Sequence, residues 1–176
     1  MTPKHAFLPL LALTGVLLAG CGSSAGPTEG GRAAAAPAAA ADGCPIAVAD
    51  LSAATSLTWQ LREKREDHPL ETAESIKATV CLYTAADAPQ DGDPLVLRAD
   101  VVTGADAATV KDNFAKTCAD NGGQVAKSGT CERSGAVVEG LAGGGDRAVE
   151  VYLVNADKAT AAKLTPSFPA ILAAVR

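Results

Sequence analysis

The distribution of apolar and polar positions divides the chain into three parts: an apolar start, a stretch without large apolar side chains, and a patterned region from residue 44 onward. Residues 6–18 are mainly apolar and follow a short basic start that contains Lys4. Between Cys21 and Ile46 the chain consists mostly of Gly, Ala, Ser and Pro. Such a segment buries too little surface to offset its conformational entropy, so residues 21–43 are predicted to form a flexible linker before one globular domain over residues 44–176.

Alternating apolar positions predict two strands early in the patterned region. Over residues 75–84, apolar side chains alternate with polar ones, and the same period recurs over residues 95–103. In the second run Leu95, Leu97, Ala99 and Val101 fall on one face, with Arg98 and Asp100 on the other. The polar residues 87–94 between the runs indicate a turn, so the pair is expected to form a hairpin.

Three-to-four-residue spacing of apolar positions predicts helices. A short helix is expected near residues 46–56. A longer one follows Thr103-x-x-Asp106, which has the form of a capping box, and ends at Asn121-Gly122-Gly123. The apolar stripe of the longer helix contains Ala107, Val110, Phe114 and Cys118.

The remainder of the chain predicts further strands and short helices. Residues 124–131 are expected to form a strand, and residues 136–141 and 147–154 flank a glycine turn and are expected to form a hairpin. Asn155 is expected to cap a short helix ended by Pro166, and Ser167 to cap a last helix. Together these patterns predict an α+β fold with about five antiparallel strands and helices on one face of the sheet.

The chain has five cysteines, and the first has a distinctive context. Leu18-Ala19-Gly20-Cys21 follows a basic start and an apolar run too short for a membrane span, and it resembles the lipobox of bacterial lipoproteins. The resemblance implies that residues 1–20 are a signal peptide, that the Cys21 thiol receives a diacylglyceryl group, and that Cys21 becomes the first residue. Several acyl chains anchor a protein stably, so we expect a lipid-anchored protein on the extracytoplasmic face of the cell membrane.

The other four cysteines are Cys44, Cys81, Cys118 and Cys131. An even number in an exported chain favours two disulfides, and three pairings are open. We favour Cys118–Cys131, because only a turn separates their predicted elements, which leaves Cys44–Cys81. A zinc site is disfavoured because the spacing contains no C-x-x-C and the mature chain has a single histidine.

The net charge disfavours two kinds of partner. The mature chain keeps all 20 acidic residues and loses only Lys4 of the 15 basic ones, which gives a formal net charge of −6. An acidic surface disfavours binding to nucleic acid and electrostatic docking on anionic lipid, so the acyl chains are expected to make the membrane contact.

No motif for catalysis, a cofactor or a metal occurs in the domain. His68 lies in the mixed-charge run 62–69, which is typical of a solvated loop rather than a catalytic base. Residues 87–98 imitate part of a calcium loop, but Pro89 and Arg98 stand where ligands are needed. The glycines 143–145 lack the following helix of a phosphate-binding loop. We therefore expect a non-enzymatic protein without a cofactor.

The lipobox, the Ala/Gly/Pro linker, Cys44-Pro45 and the strand motif Val80-Cys81-x-Tyr83 resemble small lipoproteins of actinobacteria. The order of elements over residues 44–154 is similar to the domain of unknown function 3558 group. It also resembles the extracellular sensor domain of mycobacterial membrane kinases, which has two disulfides. The resemblance implies no catalytic residue.

A binding role follows from these exclusions. The polar face of the predicted sheet is expected to present Tyr83, Arg98, Asp100 and Tyr152, with neighbouring charged residues, to a protein or small-molecule ligand. A carrier of a lipid or small apolar molecule is the alternative, and it would need an enclosed cavity of roughly 300–1,000 Å³. A hydrolase without a recognisable motif is the least favoured class.

Overall fold

The structure is a computed structural model that describes residues 42–134 and 136–176. The predicted signal peptide, the lipidation site Cys21 and nearly all of the predicted linker lie outside the described residues. None of the described helices is both long and apolar enough to cross a membrane.

Seven strands and four α-helices form within the described residues. The strands are β1 (Trp59–Pro69), β2 (Lys77–Ala85), β3 (Leu95–Thr103), β4 (Gln124–Val125), β5 (Thr130–Arg133), β6 (Ala136–Ala142) and β7 (Arg147–Leu153). The helices are α1 (Val48–Thr55), α2 (Asp106–Asp120), α3 (Lys158–Leu164) and α4 (Phe168–Ala173), with a 3₁₀ turn at Thr165–Ser167.

All strands join one antiparallel sheet in the order β1-β2-β3-β7-β6-β5-β4. The predicted α+β class is confirmed, but the sheet has seven strands rather than about five. The charged run 62–69 is part of β1 and not a loop. As an edge strand, β1 leaves its long charged side chains in contact with water. The run 124–131 forms two strands around a tight turn instead of one.

Helices cover both faces of the sheet, so the prediction of helices on one face is wrong. The first face, here called the α1/α4 face, contains Tyr83, Leu97 and Val151 and packs against α1 and α4. The second, here called the α2 face, contains Val80, Val102 and Ala148 and packs against Ala107 and Val110 of α2. The physical reason is that both faces carry apolar side chains, and each must be covered to exclude water.

One disulfide lies on each face. Cys44–Cys81 ties the segment before α1 to β2 on the α1/α4 face, and Cys118–Cys131 ties the end of α2 to β5 on the α2 face. This is the pairing that the sequence favours. The buried stripe of α2 is also the predicted one: Ala107, Val110, Phe114 and Cys118.

Three helix starts differ from the prediction. At α4, Ser167 occupies the N-cap position, but its side chain makes no cap hydrogen bond. Thr103 is the last residue of β3, Gly104 turns the chain with φ of +77°, and α2 begins without a side-chain cap. At α3 the cap is Asp157, whose carboxylate accepts a hydrogen bond from the Thr160 amide at 2.6 Å. Asn155 instead joins the α3 segment to β3, because its side-chain oxygen accepts a hydrogen bond from the Val96 amide and its side-chain nitrogen donates one to the Pro94 carbonyl.

Candidate functional site

The four residues predicted to present a partner face do not lie together. Arg98 and Tyr152 are opposite each other in the β3–β7 register, and Asp100 shares their α2 face. Tyr83 pairs with Leu97 and therefore lies on the α1/α4 face, where it is fully buried. Its hydroxyl donates a hydrogen bond to the Ile46 carbonyl at 2.8 Å. The prediction that Tyr83 contacts a partner is wrong, because the β2–β3 register places it in the core.

Arg98 and Asp100 form a buried ionic network rather than an exposed surface. Only 5% of Arg98 and 1% of Asp100 is exposed. The Arg98 Nε donates to the Asp100 carboxylate at 2.8 Å, and its Nη1 contacts the carboxylate of Glu71 in the β1–β2 connection. The guanidinium lies 5.6 Å from the centre of the Tyr152 ring, and the Tyr152 hydroxyl donates to Asp100 at 3.3 Å.

Glu150 is a third buried charged group on the same face. It lies directly opposite Asp100 in the β3–β7 register, and only 8% of its surface is exposed. Within the described part of the chain, no residue donates a hydrogen bond to its carboxylate. Burial raises the pKa of Glu150 to about 7, repulsion by Asp100 and Glu139 adds to the increase, and attraction by Arg98 offsets part of it.

Glu150 lines a cleft between the sheet and α2. The carboxylates of Glu150 and Glu139 lie on the sheet side, and Glu139 forms an ion pair with Arg133 of β5. The cavity volume is about 30 Å³, which holds roughly two water-sized groups. The opposite walls consist of apolar side chains with uncharged polar groups among them; they are Leu70, Thr72, Ala73, Val110, Asn113, Phe114 and Thr117.

Contacts near both ends attach α2 to the sheet. Near its start, the Lys111 ammonium donates to the Gly145 carbonyl in the β6–β7 turn at 2.8 Å. Near its end, the Cys118–Cys131 disulfide and the buried Phe114 ring attach it to β5. These contacts place α2, which supplies one wall of the cleft, against the sheet.

Two wider depressions lie open to solvent elsewhere on the domain. One, of about 480 Å³, lies between α1 and α4 beside the Asp50–Arg176 ion pair. The other, of about 360 Å³, lies along β4. Neither contains a buried charged side chain, and the described residues contain no cluster of His, Cys, Asp or Glu suited to a metal ion.

Sequence reasoning assigned Glu150 to the polar face but did not single it out. The sequence signal that could have identified Glu150 is a carboxylate in the middle of β7, between Val149 and Val151. The strand β7 lies near the centre of the sheet and is covered on both faces, so a carboxylate at this position is buried. His68, considered as a catalytic base, lies on the edge strand β1 opposite Ala78 and does not line the cleft.

The resemblance to actinobacterial lipoproteins stays a prediction from the sequence. The chain matches no protein-family model, no curated protein and no solved structure.

Proposed function

We propose that the chain is a lipid-anchored cell-surface protein whose folded domain is a non-catalytic binding module, and that the cleft under α2 is its recognition site. The observation that carries the proposal is Glu150, a buried carboxylate at the floor of the cleft that accepts no hydrogen bond from any described residue. Buried charges in proteins are normally paired, because an unpaired one destabilises the fold. Groups left in this condition are characteristic of functional sites.

The attachment of the domain supports this choice of face. Cys44, the first residue of the predicted domain, is bonded to Cys81 on the α1/α4 face, and the amide of Arg176 donates to the Pro45 carbonyl at 2.9 Å. Cys44 and Arg176 therefore lie on the side of the sheet opposite α2 and its cleft.

The alternatives lack comparable support. A carrier needs an enclosed cavity of roughly 300–1,000 Å³, whereas the cleft has about 30 Å³ and the two larger depressions are open. A hydrolase needs a nucleophile and a base within hydrogen-bond distance of each other. The cleft contains two carboxylates and three uncharged polar residues, Thr72, Asn113 and Thr117, but no histidine, lysine or cysteine.

Site-specific photocrosslinking on intact cells tests the location of the site. A photoreactive residue is placed at Thr72 or Asn113, which are exposed at the cleft, and in matched controls at Ala53 or Ala170, which are exposed in the α1–α4 depression. We expect a discrete crosslinked product from the two cleft positions only. Equal products from all four positions, or products from the control positions alone, would reject the cleft as the recognition site.

The membrane anchor has its own test. Replacing Cys21 with Ala removes the acylated thiol while leaving all four domain cysteines in place. We expect the protein to move from the membrane fraction to the soluble exported fraction, because several acyl chains supply the membrane affinity and the acidic domain adds none. Continued membrane association of this variant would contradict the predicted anchor.

A further inference from the structure

We propose that the group bound in the α2 cleft is a primary alkylammonium, such as the side chain of a lysine displayed by a protein partner. The inference rests on the proposed recognition site and specifies its ligand. It depends on three properties of the cleft: its size, the chemistry of its walls, and the carboxylate of Glu150, to which none of the described residues donates a hydrogen bond.

The size of the cavity and the apolar character of its walls favour a ligand with a narrow aliphatic chain and a charged end. A cavity of about 30 Å³ has room for roughly two water-sized groups, which is enough for an ammonium and one or two methylenes. A guanidinium is larger, planar and carries five donors, so it fits this space and this small set of acceptors poorly. Leu70, Ala73 and Phe114 present apolar surface along which an aliphatic stem can lie.

The negative charge of the cleft favours a cationic ligand. The two carboxylates in the cleft repel an anion, and they are too few oxygens for a calcium ion, which takes six to eight. Glu139 is paired with Arg133, and Asp100 beneath the cleft is paired with Arg98. Glu150 is left as the carboxylate that an incoming ammonium would pair with, through a charge-assisted hydrogen bond.

Proton linkage gives the proposal a distinctive signature. The groups that face Glu150 are Asp100 and Arg98 on β3, Glu139 on β6, paired with Arg133 on β5, and Tyr152 on β7. Glu71 extends this set from the β1–β2 connection, while the polar residues that α2 contributes to the cleft, Asn113 and Thr117, are uncharged.

An ammonium binds the ionised form of Glu150 and therefore lowers its pKa from about 7. Because an alkylammonium stays charged up to pH ~10, its affinity should rise about tenfold from pH 6 to pH 8, with proton release on binding at the lower pH.

Calorimetry on the full mature, acylated protein in detergent micelles tests the proposal, with n-butylammonium as the probe and n-butanol as the uncharged probe of the same stem. We expect saturable binding of the amine that strengthens about tenfold between pH 6 and pH 8, and at least tenfold weaker binding of the alcohol. Nα-acetyl-lysine methylamide is the second amine to be titrated. If it binds more tightly than n-butylammonium, the natural ligand is a lysine of a protein partner. If the two bind equally, the natural ligand is a free amine.

Two variants separate the site from general surface charge. Glu150→Gln keeps the shape of the side chain and should lose at least tenfold in amine affinity together with the pH dependence. Glu132→Gln, an exposed carboxylate on β5, is the matched control and should change neither.

Absence of saturable amine binding, equal affinity for butanol, or an unchanged affinity in Glu150→Gln would overturn the alkylammonium assignment. If the cleft positions still crosslink a partner in that case, the recognition site stands and only its ligand chemistry is wrong.

Discussion

Glu150 lies directly opposite Asp100 in the β3–β7 register, and the two carboxylates are buried side by side with different surroundings. Asp100 accepts hydrogen bonds from Arg98 and from the Tyr152 hydroxyl, whereas Glu150 has no such donor within the described residues. Burial and repulsion by Asp100 together raise the pKa of Glu150 to about 7. Because Asp100 has hydrogen-bond donors and Glu150 has none among the described residues, Glu150 is the carboxylate that responds to pH and to a bound cation.

Glu150→Gln should stabilise the protein at neutral and alkaline pH. Between pH 4.5 and about 7 the unfolded state has lost a proton that the folded state keeps, so this group lowers the free energy of unfolding as pH rises through that window. The shift corresponds to about 3 kcal/mol above pH 7, as an upper figure. Urea unfolding at pH 4.5 and pH 8 measures the effect, which should be small at the lower pH. Glu132→Gln is the control, and a destabilised Glu150→Gln protein at pH 8 would contradict the burial argument.

Asp100→Asn should lower the pKa of Glu150. Repulsion by Asp100 is the second-largest cause of the increase after burial, and the substitution removes the charge while keeping an oxygen that can accept from Arg98. Titration of the Glu150 carboxyl carbon by NMR measures the shift. Asp112→Asn, at an exposed position on α2, should leave that titration unchanged. An unchanged Glu150 pKa in Asp100→Asn would contradict the contribution of repulsion by Asp100.

The two disulfides should differ in their effect on the cleft. Replacing Cys118 and Cys131 with Ala opens a loop with a sequence separation of 13 and should cost about 3 kcal/mol. Because this bond fastens the end of α2, hydrogen exchange in α2 should accelerate and butylammonium binding should weaken.

Replacing Cys44 and Cys81, with a separation of 37, should cost about 4 kcal/mol. That bond lies on the opposite face, so α2 should keep its exchange protection relative to the rest of the domain. Equal loosening of α2 in both variants would contradict the separate roles of the two bonds.

Local patterns predicted individual elements well, and long-range relationships poorly. The alternation over residues 95–103 gives the bounds of β3, and the four-residue stripe of α2 is the one buried in the structure. The strand β1 escaped prediction because an edge position tolerates charged side chains. Tyr83 is buried because the β2–β3 register pairs it with Leu97. A loop of several residues between two strands does not specify their register, so the sequence did not predict this pairing. The cleft itself depends on α2 crossing the face opposite α1 and α4, and no local pattern encodes that choice.

Tyr83→Phe tests the reassignment of Tyr83 from a partner surface to the core. The variant keeps the ring and removes the hydroxyl that donates to Ile46 at 2.8 Å, leaving a buried carbonyl without this donor. We expect a loss of about 1–2 kcal/mol in the free energy of unfolding, with crosslinking from Thr72 and Asn113 unchanged. Tyr83→Ser should cost about 3 kcal/mol or more, because it empties the space of a fully buried ring. Tyr152→Phe is the matched comparison at a half-buried position, where a single 3.3 Å hydrogen bond is lost and the effect on stability should be smaller. Reduced crosslinking by Tyr83→Phe at unchanged stability would place Tyr83 at the binding surface and reject the role that its burial implies.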